Sequence, residues 1–295
     1  MVIDNKIVAE LTDLKITDSF ICESFGLVNS KTENTLSFID DEEFLDQLLK
    51  NDNITVIFCT KELKNKIKGK LIIECHDPRY YFYDFINKIG KMNYMLFPSI
   101  ISPKSKIHPK AYIAENNVII GDNTVVSANA TVLADVEIGD NCFIQSGAVI
   151  GSEGFEYKRT SKGIISVYHD GKVIIGNNVD IGANSTIVKG FSFRQTVIED
   201  EVKIDNLVYI AHGAQIHKGS FIVGCALVSG SVTIKSNVWI GPNATISNAL
   251  EIGTNSYITL GSIVTRSIKN DQTIIGEHSI DNDKFEKIKK NPKCN

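Results

Sequence analysis

Two histidines five residues apart, His212 and His217, stand in the stretch DNLVYIAHGAQIHKG. A neutral imidazole near pH 7 can take the proton from an attacking amine or water. A pair of histidines can also supply part of a catalytic zinc site, which needs three protein ligands around an open position. Both can equally be surface residues. Asp205 and Asn206 lie just before the pair. The backbone that carries these side chains decides among the readings.

That backbone is announced by a repeat. From Ile198 a branched aliphatic residue recurs at every sixth position through Ile204, Ile210, Ile216, Ile222, Val228, Ile234, Ile240, Ile246, Ile252, Ile258 and Val264. An earlier block does the same from Ile120 to Ile150, preceded by Ile107 and Ile113 with a one-residue slip, and Ile175, Ile181 and Ile187 lie between. A helix cannot present every sixth residue on one side, because the position drifts around a 3.6-residue turn. Short strands of one hexad each, wound as three faces of a triangular coil, place every aliphatic residue inside. Gly often follows the aliphatic residue, as at Gly121, Gly139, Gly182 and Gly241, and Gly or Asn is expected to turn the corners. Two places break the period. Residues 150 to 175 hold a long excursion, GSEGFEYKRTSKGIISVYHDGK, and Ile187 to Ile198 spans eleven positions, one short of two hexads. Excursions from a rigid scaffold are where binding groups are commonly placed.

The first hundred residues have a different texture. NITVIFC and GKLIIEC read as buried strands, and DDEEFLDQLLKN and DPRYYFYDFINKIG as helices. In the first helix Phe44, Leu45, Leu48 and Leu49 share a face; in the second Pro78 sits at the start, where its missing N–H costs little. The expected organisation is a small α/β domain over 1–100, the coil over 104–265, and a polar tail over 266–295 with at most a short helix.

The whole chain of 295 residues is 43% hydrophobic and 22% charged, with a formal net charge of -4. That composition is globular and argues against nucleic acid as the partner. No apolar run is long enough to span a bilayer, and the N-terminus lacks a signal pattern, so a cytoplasmic location is expected. The six cysteines are scattered without a CxxC pair, which points to reduced, buried thiols.

The hexad pattern resembles the left-handed parallel β-helix of the hexapeptide-repeat acyltransferases. The left-handed winding comes from that resemblance, since periodicity does not give it. The segments LSFIDDEEF, HDPRYYF, IGSEGFEY, VKIDNLVYIAH and VSGSVTI, in that order, are similar to one branch, the UDP-3-O-acylglucosamine N-acyltransferases. The resemblance implies N-acyl transfer from acyl-CoA or acyl carrier protein to a nucleotide-linked amino sugar, with no bound cofactor or metal, in a homotrimer. His212 falls on the family's base. Gly230, eighteen residues on and so one coil later, falls on the glycine whose N–H holds the oxyanion. Asp205 and Asn206 fall on its DN pair. Phe38 and Phe44 fall on the two aromatics that sandwich uracil, and Phe155 and Tyr157 of the long excursion are a candidate acceptor wall with Lys158 and Arg159.

Three positions depart from the family. Asp41 stands where an Asn lies near the nucleotide phosphates, Ala249 where a second active-site histidine lies, and Val188-Lys189-Gly190 where the family has DRG. These departures fall on acceptor phosphate binding, so the main expectation is a paralogue acting on a related amino sugar for a surface glycan. The lipid A enzyme itself is the alternative. Two other classes stay open. In a zinc enzyme like the γ-type carbonic anhydrases, His169 would be the third ligand to His212 and His217; in a non-catalytic scaffold, His212 would decorate a corner.

Overall fold

The computed structural model describes residues 2–192 and 194–276. The short helix allowed for in the tail, with His278 and Cys294, falls outside them. The chain divides into two compact units. One comprises the residues up to Pro98 with Glu153–Lys172 and Lys189–Gln195; the other comprises Ser99–Ser152, Val173–Val188 and the chain from Thr196 on.

The second unit is a left-handed parallel β-helix. Its strands form three parallel sheets of eight, nine and eight strands. The first sheet runs from Ile100–Ile101 to Glu251–Ile252, the second from Lys106–Ile107 to Thr273–Ile274, and the third from Tyr112–Ile113 to Ile263–Val264. The coil therefore extends past 265, where Thr273–Ile274 pairs with Tyr257–Ile258. The repeat's aliphatic residues fill one interior cluster; Ile144, Ile181, Ile210 and Ile246 are fully buried in it. Each strand pairs with the strand one coil on, as Ile210 with Val228 and Ile216 with Ile234, so the backbone groups of each short strand are satisfied by its neighbours.

The corners refine the expected role of glycine. The residue in the left-handed region is the third after the inward aliphatic one, commonly Asn, as at Asn123, Asn141, Asn184 and Asn243 (φ 55–57°). Asn tolerates that conformation better than other residues with a Cβ. The glycine directly after the aliphatic residue serves close approach: a Cβ on Gly139 would lie 2.6 Å from the Gly176 carbonyl oxygen of the next coil.

The short break in the period is an insertion. Ile187 lies on the third sheet and Ile198 on the first, one corner apart, a step that takes six residues from Ile210 to Ile216. The eleven positions thus contain five extra residues, and Lys189–Gln195 belongs to the first unit. A two-corner step would take twelve residues, so the span falls one short of two hexads although it turns a single corner.

In the first unit four parallel strands, Ser24–Phe25, Thr35–Ile39, Ile54–Cys59 and Leu71–Glu74, form a sheet in sequence order. Helix Pro78–Met92 starts with Asp77 as its cap, accepting from the Tyr80 N–H, and Pro78 in the first turn. The segment expected as one helix at 40–51 is a single 3₁₀ turn, Glu42–Phe44, followed by helix Leu45–Lys50. That turn rotates Phe44 off the buried face, so Leu48 is fully buried while Phe44 is 43% exposed.

The long excursion forms a hairpin, Tyr157–Thr160 against Gly163–Ser166. It is tied to helix Pro78–Met92 by side chains at both ends: Asp77 accepts from the Ser161 N–H (2.6 Å), and Asn87 donates to the Ser166 carbonyl (2.7 Å). Buried apolar residues Val167 and Phe191 complete the same core. Among the described residues no helix is long and apolar enough to cross a membrane. Cys22, Cys59, Cys75 and Cys142 are buried thiols, whereas Cys225 is exposed at a corner; burial pushes the Cys75 thiol up to about 12.

Candidate functional site

His212 stands at the corner between strand Tyr209–Ile210 of the third sheet and Gln215–Ile216 of the first. Pairing of Tyr209 with Leu227 and of Ile210 with Val228 puts Gly230 level with it on the next coil. The two corners are stitched by the Ser231 N–H donating to the His212 carbonyl (2.9 Å). The imidazole lies directly against Gly230: a Cβ there would be 2.6 Å from Nε2 and 2.9 Å from Nδ1. Glycine is therefore required for the ring to occupy this place. Among the described residues the Gly230 N–H has no acceptor, while its carbonyl accepts from the Ala249 N–H (2.9 Å). An imidazole and an unused N–H on adjacent coils can serve one reacting carbonyl, the ring as base and the N–H as oxyanion donor.

Asp205 and Asn206 occupy a different corner, between the second and third sheets. Asp205 accepts from the Gly224 and Asn206 N–H groups (3.0 and 2.7 Å), and Asn206 accepts from the Ala183 N–H (2.6 Å). Both side chains stitch coil to coil, one strand ahead of His212. His217 is on the third corner, with Nδ1 2.8 Å from Glu199. The six-residue period thus separates the two histidines onto different edges of the prism, and the five-residue spacing does not make them neighbours around one ion.

His169 is buried in the first unit with both ring nitrogens engaged. Nε2 accepts from the Gly154 N–H (3.0 Å) and Nδ1 faces the Val167 carbonyl (3.0 Å). Among the described residues no group of three metal-ligating side chains gathers. Burial pushes the His169 pKa below the ordinary histidine value. The unfolded chain therefore binds this proton more readily, so the stability it contributes is complete above about pH 6.5 and is lost as pH falls toward the folded pKa. The melting temperature is expected to drop between pH 7.5 and 5.5, and to drop less in His169→Gln; equal falls in the two proteins would contradict this.

The first unit holds a cavity of about 290 Å³ lined by Phe38, Phe44, Asp40, Arg79, Tyr83 and Lys158, among others. Both aromatics singled out in the sequence line it. Phe38 packs on Phe82 (4.9 Å between centroids) and Tyr83 (5.6 Å), which fixes its ring. Two cations share the wall. Arg79 Nε bonds Asp40 at 2.7 Å, and Lys158 lies 4.9 Å over the Tyr83 ring beside Glu156. Burial works against the Lys158 charge, but Tyr83 and Glu156 outweigh it and hold the pKa above the ordinary lysine value. A flat heterocycle with an anionic neighbour suits such a wall.

Three expected residues do not line it. Asp41 caps the 3₁₀ turn, accepting from the Glu43 N–H at 2.9 Å. Phe155 and Tyr157 are 84% and 51% exposed, packed edge to face on one another at 5.0 Å between centroids. In an extended strand successive side chains alternate, so Lys158 turns inward where Tyr157 turns out. Arg79 carries no sequence signal beyond lying in HDPRYYF. Strand alternation within the excursion was the signal for Lys158.

The family model for bacterial transferase hexapeptides (six repeats) matches residues 117–152, and that for the hexapeptide repeat of succinyl-transferase matches 172–211. A UDP-3-O-acylglucosamine N-acyltransferase of Herminiimonas arsenicoxydans is 39% identical over 139 residues, 47% of this chain and 39% of that relative. This chain thus spans well under half of that relative's length. The solved UDP-N-acetylglucosamine acyltransferase from Campylobacter jejuni shares the fold, with a TM-score of 0.52 at 21% identity over 65% of this chain and 80% of that one. A UDP-3-O-acylglucosamine N-acyltransferase of Rickettsia bellii is 33% identical over 252 residues, 74% of this chain and 71% of the relative. At that identity and reach, with the hexad coil and the His212–Gly230 corner in place, the chain belongs to the UDP-3-O-acylglucosamine N-acyltransferase family.

Proposed function

We propose that this protein transfers an acyl group from a thioester, carried by acyl carrier protein or coenzyme A, to the amino group of UDP-linked 3-O-acylglucosamine. The observation that carries this reading is the His212 ring seated on Gly230, beside an N–H that has no acceptor among the described residues. The relatives' names supply the acceptor class. The amine nitrogen attacks the thioester carbonyl carbon and gives its proton to His212. The developing oxyanion is received by the Gly230 N–H. Collapse forms the amide, breaks the C–S bond, and returns the proton from the imidazolium to the departing thiolate. Asp205 and Asn206 hold the preceding turn in shape.

The first unit's cavity supplies the nucleotide site in this reading. Phe38 and Phe44 flank the base, and Arg79 and Lys158 offset the diphosphate charge that Asp41 does not favour. Asp41 spends its carboxylate on the turn it caps, so its difference from the family's Asn does not by itself remove the site. A homotrimeric assembly is part of the proposal. A second reading, transfer to a different nucleotide-linked amino sugar, draws on Ala249, which offers no side-chain partner where the family has histidine.

Assays of acyl carrier protein and acyl-CoA donors against UDP- and dTDP-linked amino sugars separate the two readings, and absence of turnover with every acceptor overturns both. Phe44→Ala is expected to weaken UDP binding about fivefold in calorimetry, the loss of roughly 1 kcal/mol of aromatic stacking. Unchanged affinity would remove the nucleotide from this cavity.

A further inference from the structure

We propose that Thr196 is a positioning residue for His212, an inference that rests on the acyl-transfer reading. Thr196 is fully buried as the first residue of strand Thr196–Ile198. Its hydroxyl donates to the Val188 carbonyl (2.7 Å) and accepts from the Gly213 N–H (2.8 Å). Gly213 follows His212 directly and is the left-handed residue of that turn, at φ 67°. One hydroxyl therefore grips the His212 turn from inside and anchors it to Val188, the residue before the Lys189–Gln195 excursion.

The interior position that Thr196 occupies does not call for a hydroxyl. Register places it level with Val173 and Val136 on the preceding coils and with Ala214 and Val232 on the following ones, all fully buried. Valine has nearly the volume of threonine, so packing alone is served by valine, as it is at Val136, Val173 and Val232. Burying the extra hydroxyl carries a cost unless its bonds are made. At this position those bonds reach the turn that holds the base.

Buried hydroxyls elsewhere in the coil give the contrast. Ser220 donates to the Lys235 carbonyl (2.8 Å) and accepts from the Val238 N–H (3.1 Å), on a corner away from His212. That staple joins one coil to the next and touches no group assigned to catalysis. If Thr196 were only another staple, losing either hydroxyl would lower stability alike and leave the chemical step alone.

Four variants, Thr196→Val, Thr196→Ser, Thr196→Ala and Ser220→Ala, test this on the full chain. A misplaced base costs far more in rate than in binding, so Thr196→Val is expected to lower kcat about 10- to 100-fold while the acceptor KM moves little. Thr196→Ser is expected to restore kcat, and Ser220→Ala to lower the melting temperature at wild-type kcat. Thr196→Ala repeats the loss if the valine variant does not fold. A second readout needs no turnover: the rate at which diethyl pyrocarbonate modifies His212, followed by peptide mass spectrometry. It is expected to change in Thr196→Val and return in Thr196→Ser. A Thr196→Val protein that loses stability like Ser220→Ala, yet keeps wild-type kcat and His212 modification, overturns the proposal. A wild-type protein without turnover would overturn the acyl-transfer reading instead, and the modification rates would still decide whether Thr196 positions the ring.

Discussion

His212→Ala is expected to lower the turnover of acyl transfer by about 10²- to 10⁴-fold, the range for removing a positioned general base. Without the imidazole the amine must lose its proton to water as it attacks the thioester. The side chain projects from a corner and is not part of the coil's interior cluster, so the variant is expected to fold and melt as the wild type does. The loss falls on kcat and kcat/KM together, because the proton moves in the transition state and not on binding. Steady-state kinetics at saturating donor, with melting curves beside them, check this. Wild-type turnover in His212→Ala would leave the coil as a scaffold and end the catalytic reading.

The second large effect is expected from a single methyl group. Gly230→Ala places a Cβ 2.6 Å from Nε2 and 2.9 Å from Nδ1 of His212, closer than carbon and nitrogen can approach without bonding. Ser231, the next residue, is the left-handed one in this turn, so alanine at 230 brings no backbone strain of that kind. Relief therefore comes from the imidazole swinging away or the turn shifting, and either separates the base from the N–H that receives the oxyanion. Losing one oxyanion donor costs about 10²- to 10³-fold in kcat, and displacing the base adds to it. The two losses are not expected to multiply in the double variant with His212→Ala, since both groups serve one transition state. A Gly230→Ala enzyme with wild-type kcat would show that the ring does not rest on this residue during turnover.

Much of the second unit was legible in the sequence because its interior is one-dimensional. Each coil contacts only its neighbours, so a six-residue period reports three faces and an eighteen-residue step reports vertical alignment. That arithmetic paired His212 with Gly230 correctly. It failed at Ile187–Ile198, where a count of eleven fits a near-double hexad as well as a single hexad with five residues inserted. Periodicity counts positions along the chain, and only strand pairing shows which face a strand occupies.

The first unit was less legible because its cavity is assembled from separate segments. Phe38 and Phe44 were found through resemblance, but Arg79 enters from the helix Pro78–Met92 and Lys158 from a hairpin eighty residues further on. Helix periodicity placed Phe44 on a buried face; the 3₁₀ turn before the helix moved it to the cavity wall. Phe155 and Tyr157 stood out by size, yet the alternation of the hairpin gave the inward position to Lys158.

By itself the sequence determined the coil, its interior, the level of its corners and the separation of His212 from His217, because outside the two excursions the contacts there lie at a fixed separation along the chain. Tertiary structure alone decided which side chains share the first unit's cavity and that the Thr196 hydroxyl grips the turn beside the base. Those arrangements depend on the direction each side chain takes from its backbone and on bonds between segments of unrelated spacing, and no period along the chain records either.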